Sequence, residues 1–140
     1  MKFLFHKSNQ MIINSDLVEK FSIQHTGSAK VTAHLANGND KITLKEFHSG
    51  NKDENLTEAK EYLAQLVKNC DMKVIFYNDG FEAVNVEFVE KIFCENSDYV
   101  VAQTSNEKIV LKSFDGEAEK NITAAKNYLA DLTKILNGNK

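Results

Sequence analysis

The chain carries one motif twice, and the repeat limits what it can fold into more than any other feature. Met1 to Gln24 (MKFLFHKSNQMIINSDLVEKFSIQ) aligns without a gap on Met72 to Glu95 (MKVIFYNDGFEAVNVEFVEKIFCE), 71 positions later. Met1/Met72, Lys2/Lys73, Phe5/Phe76, Asn14/Asn85 and the runs Val18-Glu19-Lys20/Val89-Glu90-Lys91 are identical. Asn39 to Phe47 (NDKITLKEF) then matches Asn106 to Phe114 (NEKIVLKSF) at an offset of 67. Asn55 to Lys68 (NLTEAKEYLAQLVK) matches Asn121 to Lys134 (NITAAKNYLADLTK) at 66. A unit of about 70 residues builds only a thin core alone. The expectation is two copies, 1–70 and 71–140, packed as one pseudo-twofold domain, as a self-complementary dimer of a half-length ancestor would be. No Gly- or Pro-rich linker separates them between Asn69 and Met72, which favours packed repeats over independent beads.

Each copy reads as ββββα. Lys2 to His6 is a short strand, and Lys7-Ser8-Asn9 a turn whose match, Asn78-Asp79-Gly80, is a strong hairpin signal. Ile12 to Gln24 reads as a second strand with a bulge or bend near Asn14-Ser15-Asp16. Lys30 to Ala36 and Lys41 to Phe47 are the third and fourth. A helix follows from Leu56 to Asn69, with Asn55 as N-cap and Glu58 closing a capping box. Leu56, Ala59, Leu63, Leu66 and Cys70 form its apolar stripe, repeated by Ile122, Ala125, Leu129, Leu132 and Leu136. The fall in offset from 71 to 67 puts a four-residue shortening between the second and third strands of copy two. The predicted fold class is α+β: an internal duplication of a ββββα unit, with two antiparallel sheets and one helix per repeat.

Charge narrows the functions. The formal net charge is −3, and the positive charges are all lysines, since the chain has no Arg. The balance argues against strong non-specific nucleic-acid binding. The missing guanidinium removes the bidentate clamp for phosphate or carboxylate. Residues 1–70 hold nine Lys and eight acids, and residues 71–140 eight Lys and twelve acids, so the copies carry +1 and −4. Cys70 and Cys94 read as buried thiols, Cys94 standing where copy one has Ile23. The apolar start is too short for a signal h-region, and no stretch approaches the ~18 apolar residues of a membrane span. A cytoplasmic location and no membrane partner are the expectation.

Catalytic motifs are missing: the sequence has no GxGxxG, P-loop, GxSxG, HExxH or CxxC. His6, His25, His34 and His48 all fall in the first copy, at spacings that do not build a metal site. No catalytic residue, metal or cofactor is expected, and the protein reads as a non-enzyme.

Strand alternation singles out one face. In the fourth strand Lys41, Thr43, Lys45 and Phe47 share a side, matched by Lys108, Val110, Lys112 and Phe114. Strand one adds Lys2, Leu4 and His6, or Lys73, Ile75 and Tyr77. Strand two adds Lys20 and Ser22, or Lys91 and Phe93. Lysines interleaved with rings suit single-stranded nucleic acid, lysines for phosphates and rings for bases. The candidate set is therefore Lys2, Lys20, Lys41, Lys45, Phe47, Lys73, Tyr77, Lys91, Phe93, Lys108, Lys112 and Phe114. The same lysines also protect an exposed sheet from aggregation, and Ile75, Phe93 and Val110 suit a covered face.

In element order, over the whole chain, the tandem ββββα pattern resembles the PC4-like, Whirly and PUR-repeat proteins. That resemblance implies curved antiparallel sheets and a two-unit module that binds single-stranded nucleic acid. Two functional expectations result. The first is a non-catalytic binding or assembly module, acting on a protein partner or by self-association. The alternative is weak single-stranded nucleic-acid binding through the Lys/aromatic face.

Overall fold

In the computed structural model, which describes residues 3–6, 11–36 and 40–138, the repeated residues Asn14 and Asn85 each turn a corner. The Asn14 side-chain oxygen accepts the Asp16 N–H at 2.9 Å, capping a 3₁₀ turn over Ser15–Leu17. Asn85 accepts the Glu87 N–H at 3.1 Å, at a second 3₁₀ turn, Val86–Phe88. The bend expected near residues 14–16 therefore divides the long second strand in two. Strand β1 (Phe3–His6) pairs with β2 (Met11–Asn14) as a two-stranded sheet, and β3 (Val18–Thr26) starts beyond the corner.

The chain falls into two compact units, Met1–Glu87 and Phe88–Lys140. Unit 1 continues with β4 (Ser28–Leu35), β5 (Lys41–Phe47), helix α1 (Lys52–Asn69), β6 (Val74–Tyr77) and β7 (Glu82–Asn85). Its five-stranded antiparallel sheet runs β5-β4-β3-β7-β6. The hairpin that opens the second sequence copy thus joins the first copy's sheet, through Lys20↔Val84, Phe21↔Ala83 and Ser22↔Glu82. This is why the unit boundary lies at 87/88 while the sequence copies meet near 70. Asn85 strengthens the join by donating its side-chain N–H to the Val18 carbonyl at 2.8 Å.

Helix α1 lies across β3, β4 and β5. Its Ala59, Leu63 and Val67 close one core with Phe21, Ile23, Val31, Ala33 and Leu44. Phe21, Val31 and Leu63 are fully buried, each contributing about 1.5–3 kcal/mol of apolar transfer. The helix starts one turn before the expected Leu56. Asn51 is its N-cap, accepting the Glu54 N–H at 2.9 Å and donating to the Glu54 carboxylate at 2.6 Å. Asn55 is inside the helix and buried, with both ends of its amide on Gly50: it accepts the Gly50 N–H and donates to the Gly50 carbonyl, each at 3.1 Å. A Cβ on Gly50 would lie 3.0 Å from the Glu54 Cβ and 3.4 Å from the Asn55 side-chain oxygen, so a larger residue there must push on the clasp and its neighbour.

Unit 2 comprises β8 (Lys91–Glu95), β9 (Tyr99–Gln103), β10 (Lys108–Ser113) and helix α2 (Ala118–Leu136). The strands form an antiparallel sheet in the order β10-β9-β8, and α2 lies against β8 and β9. Val100, Ala102, Ile109 and Leu111 are buried, as are Ala125 and Leu132 of α2. The asparagine clasp recurs: Asn121 accepts the Gly116 N–H and donates to the Gly116 carbonyl, each at 3.1 Å, and also reaches Asp98. With Asn121 turned inward, Ile122 is 42% exposed and leaves the expected apolar stripe. Lys20 pairs with His34 and Lys91 with Gln103, while Lys41 matches Lys108. The offset is therefore 71 on the first of these strands, 69 on the next and 67 on the last. The four-residue difference is shared between two hairpins rather than placed in one connection.

Candidate binding surface

A β-bulge decides which residues share a face. In unit 1, Val31 pairs with Lys45 and the adjacent Thr32 pairs with Thr43, leaving Leu44 unpaired. In unit 2, Val100 pairs with Lys112 and Val101 with Val110, leaving Leu111 unpaired. Each bulge admits one extra residue, so alternation changes sides beyond it. Lys45 and Phe47 stand beside Val31 and Ala29 on the α1 side, while Lys41 and Thr43 stand beside His34 and Thr32 on the other. Phe47 packs edge-on to Tyr62 of α1 with ring centres 5.9 Å apart, and the Lys45 ammonium lies 5.7 Å from the Phe47 ring. By the same shift Lys112 joins buried Val100, and half-buried Phe114 sits past the strand end, its N–H bonded to the Asp98 carbonyl. The expected single row of lysines and rings is thus divided between two faces in each unit.

The remaining candidates separate further. Lys2 lies outside the described residues. Lys20 is half-buried in the middle of the five-stranded sheet, flanked by His34 and Val84. Tyr77 is buried with Ile75 and Val84, its face-sharing neighbours in the register, so its ring is not offered to solvent. Lys73 is exposed just before β6. On this face Ser22 and His34 share a hydrogen bond at 2.8 Å; on the opposite, α1 side His25 lies tilted against Phe81 at 4.9 Å.

Unit 2 keeps one compact group. The register places Lys91, Phe93 and Glu95 of β8 beside Tyr99, Val101 and Gln103 of β9, and those beside Lys108, Val110 and Ser113 of β10. Phe93 is half-buried, with the Lys91 and Lys108 ammonium groups 5.1 and 5.8 Å from its ring centre. Lys108 also pairs with Glu95 at 3.2 Å. Tyr99 and Val110 are 40% and 48% exposed. The face is a small aromatic and aliphatic strip with two cations at its rim, one of them already paired.

Along this strip runs an open strand. β3 is paired on both sides, with β4 and β7, whereas β8 has only β9 among the described residues. The consequence appears in the side chains. Phe21 and Ile23 of β3 are 0% and 5% exposed, but their matches Ile92 and Cys94 are half-buried and exposed. Cys94 is therefore an exposed free thiol rather than the expected buried one, because no strand pairs with β8 on that side among the described residues; Cys70 is buried as expected. The edge was not foreseeable from local pattern, since β8 keeps apolar Ile92 and Cys94 at the positions of Phe21 and Ile23.

Among the described residues no helix is long and apolar enough to cross a membrane. Comparison with protein-family models, with curated proteins and with solved structures finds no match.

Proposed function

We propose that the protein is a non-catalytic, internally duplicated binding module, and that it binds an extended polypeptide strand along β8 and the adjoining Phe93–Val110 strip. The observation that carries this reading is the unpaired β8 edge with Ile92 and Cys94 uncovered, where β3 has a strand in place. An added strand gains backbone hydrogen bonds at the edge, and the alternating side chains supply selectivity. Duplication is supported by the bulges at Leu44 and Leu111 and by the paired clasps Asn55–Gly50 and Asn121–Gly116. Cys94→Pro tests the reading. By its match to Ile23, whose N–H bonds the Phe81 carbonyl at 2.7 Å on the β7 side, the Cys94 N–H points to the open edge. Proline there removes no internal ladder bond, a position at which edge strands accept it. Partners captured by the wild-type protein and lost with a folded Cys94→Pro variant support the proposal. Equal capture by both overturns it.

A second reading rests on Phe93 between Lys91 and Lys108. A ring flanked by two ammonium groups offers base stacking with phosphate neutralisation. Fluorescence anisotropy with a labelled single-stranded oligonucleotide tests it. Micromolar binding that weakens with salt and disappears in Lys91→Glu/Lys108→Glu favours this reading. No binding at low salt removes it.

A further inference from the structure

We infer that the strand added to β8 is β2 of a second copy of this chain, exchanged reciprocally to form a twofold dimer. The inference rests on the reading of β8 as a strand-accepting edge. The template is in unit 1, where β7 lies against β3 and β6 lies outside it. The β1–β2 hairpin is the match of β6–β7 at offset 71, and its register is the same position for position. Phe3↔Asn14, Leu4↔Ile13, Phe5↔Ile12 and His6↔Met11 correspond to Val74↔Asn85, Ile75↔Val84, Phe76↔Ala83 and Tyr77↔Glu82.

The hairpin and the edge each lack what the other supplies. β1–β2 is a separate two-stranded sheet held to the unit 1 core by buried Ile13. Among the described residues the hydrogen-bonding edge of β2 is left without a third strand, and a two-stranded sheet by itself is marginal in water. Ile12 on β2 is 65% exposed, while its match Ala83, paired with Phe21, is fully buried. Transferring the β7–β3 register by 71 positions puts Ile12 opposite Ile92, Ile13 opposite Lys91 and Met11 opposite Phe93. The exposed Ile12 then shares a side with half-buried Ile92. Asn14 is brought to Val89 as Asn85 is to Val18, whose carbonyl it bonds at 2.8 Å. Among the described residues neither β2 nor β8 is paired on its open side within the single chain. A second copy satisfies both, and reciprocal exchange of the hairpins makes the assembly a closed twofold dimer.

The test mixes two single-cysteine proteins in a Cys70→Ala/Cys94→Ser background, one with Ile12→Cys and one with Ile92→Cys. Directly opposed strand residues lie about 5.5 Å apart at a hydrogen-bonded pair, within disulfide reach. A covalent heterodimer on mild oxidation, with neither protein alone giving a comparable band, is the expected result. In parallel, sedimentation velocity should show wild-type dimers, and monomers for Ile12→Lys and for Cys94→Pro with unchanged circular dichroism. No heterodimer, or a wild-type monomer at every concentration, overturns the inference. If Cys94→Pro still abolishes capture of another partner in that case, the strand-accepting edge stands and only the identity of the strand has failed.

Discussion

Replacing Asn55 by Ala should destabilise unit 1 far more than a one-residue change on a polar helix face would. The side chain is 2% exposed and clasps both the N–H and the carbonyl of Gly50 at 3.1 Å. Its loss leaves two backbone groups without partners, at a cost of about 1–3 kcal/mol each when buried. Gly50 is only half-buried, so water restores part of the bonding and the lower end applies. Alanine is the better helix former by roughly 0.6 kcal/mol. The net loss is about 1–2 kcal/mol, or roughly 3–8 °C in Tm for a chain of this size. Urea and thermal unfolding followed by circular dichroism measure it. Asn55→Asp sharpens the test: it keeps the acceptor for the Gly50 N–H but sets a carboxylate against the Gly50 carbonyl. That variant should be no better than Ala at neutral pH. It should recover as pH falls, because the protonated carboxyl donates to the carbonyl and the folded state then binds the extra proton. A loss below about 0.5 kcal/mol, or an Asp variant as stable as wild type at neutral pH, would refute the clasp as a stabilising element.

Other consequences follow from the same geometry. Phe21→Ala empties a fully buried site at the centre of the unit 1 core and should cost about 3–5 kcal/mol in urea unfolding. Gly50→Ala brings a Cβ to 3.0 Å from the Glu54 Cβ and should destabilise by about 1–3 kcal/mol, whereas the same change at exposed Gly27 is resisted only by its positive φ of 94°. Burial first, and then the neighbouring Cys70, raises the Tyr62 phenol above its ordinary pKa of 10.0, and burial alone raises Tyr128. The unfolded chain then ionises first, so stability is complete below pH 10 and falls as pH rises beyond it. Urea unfolding across about pH 9 to 11 should show that decline, and Tyr62→Phe should reduce it.

Much of the fold was legible because local signals agreed with burial. β5 occupies Lys41–Phe47 as alternation placed it, and the stripe Ala59, Leu63 and Cys70 is the buried side of α1. Three features escaped for physical reasons. Leu44 and Leu111 look like ordinary strand residues, so nothing local announced the bulges that part Lys41 from Lys45 and Lys108 from Lys112. Asn51-Lys-Asp-Glu54 and Asn55-Leu-Thr-Glu58 are both capping-box sequences, and only the inward turn of Asn55 onto Gly50 selects the first. Which sheet edge a hairpin joins is a long-range choice. The residues of β6–β7 do not state that they pair with β3, nor did those of β8 state that its edge is left open. Of the candidate face, the register brings together Lys91, Phe93 and Lys108.

The most direct measurement is amide hydrogen exchange at Ile92 and Cys94, followed by NMR over a range of protein concentrations. Their N–H groups face the open side of β8, by correspondence with Ile23. An edge that accepts β2 of a second copy predicts slow exchange at high concentration that is lost on dilution and in Ile12→Lys. Fast exchange at every concentration, or protection that dilution does not change, would contradict it.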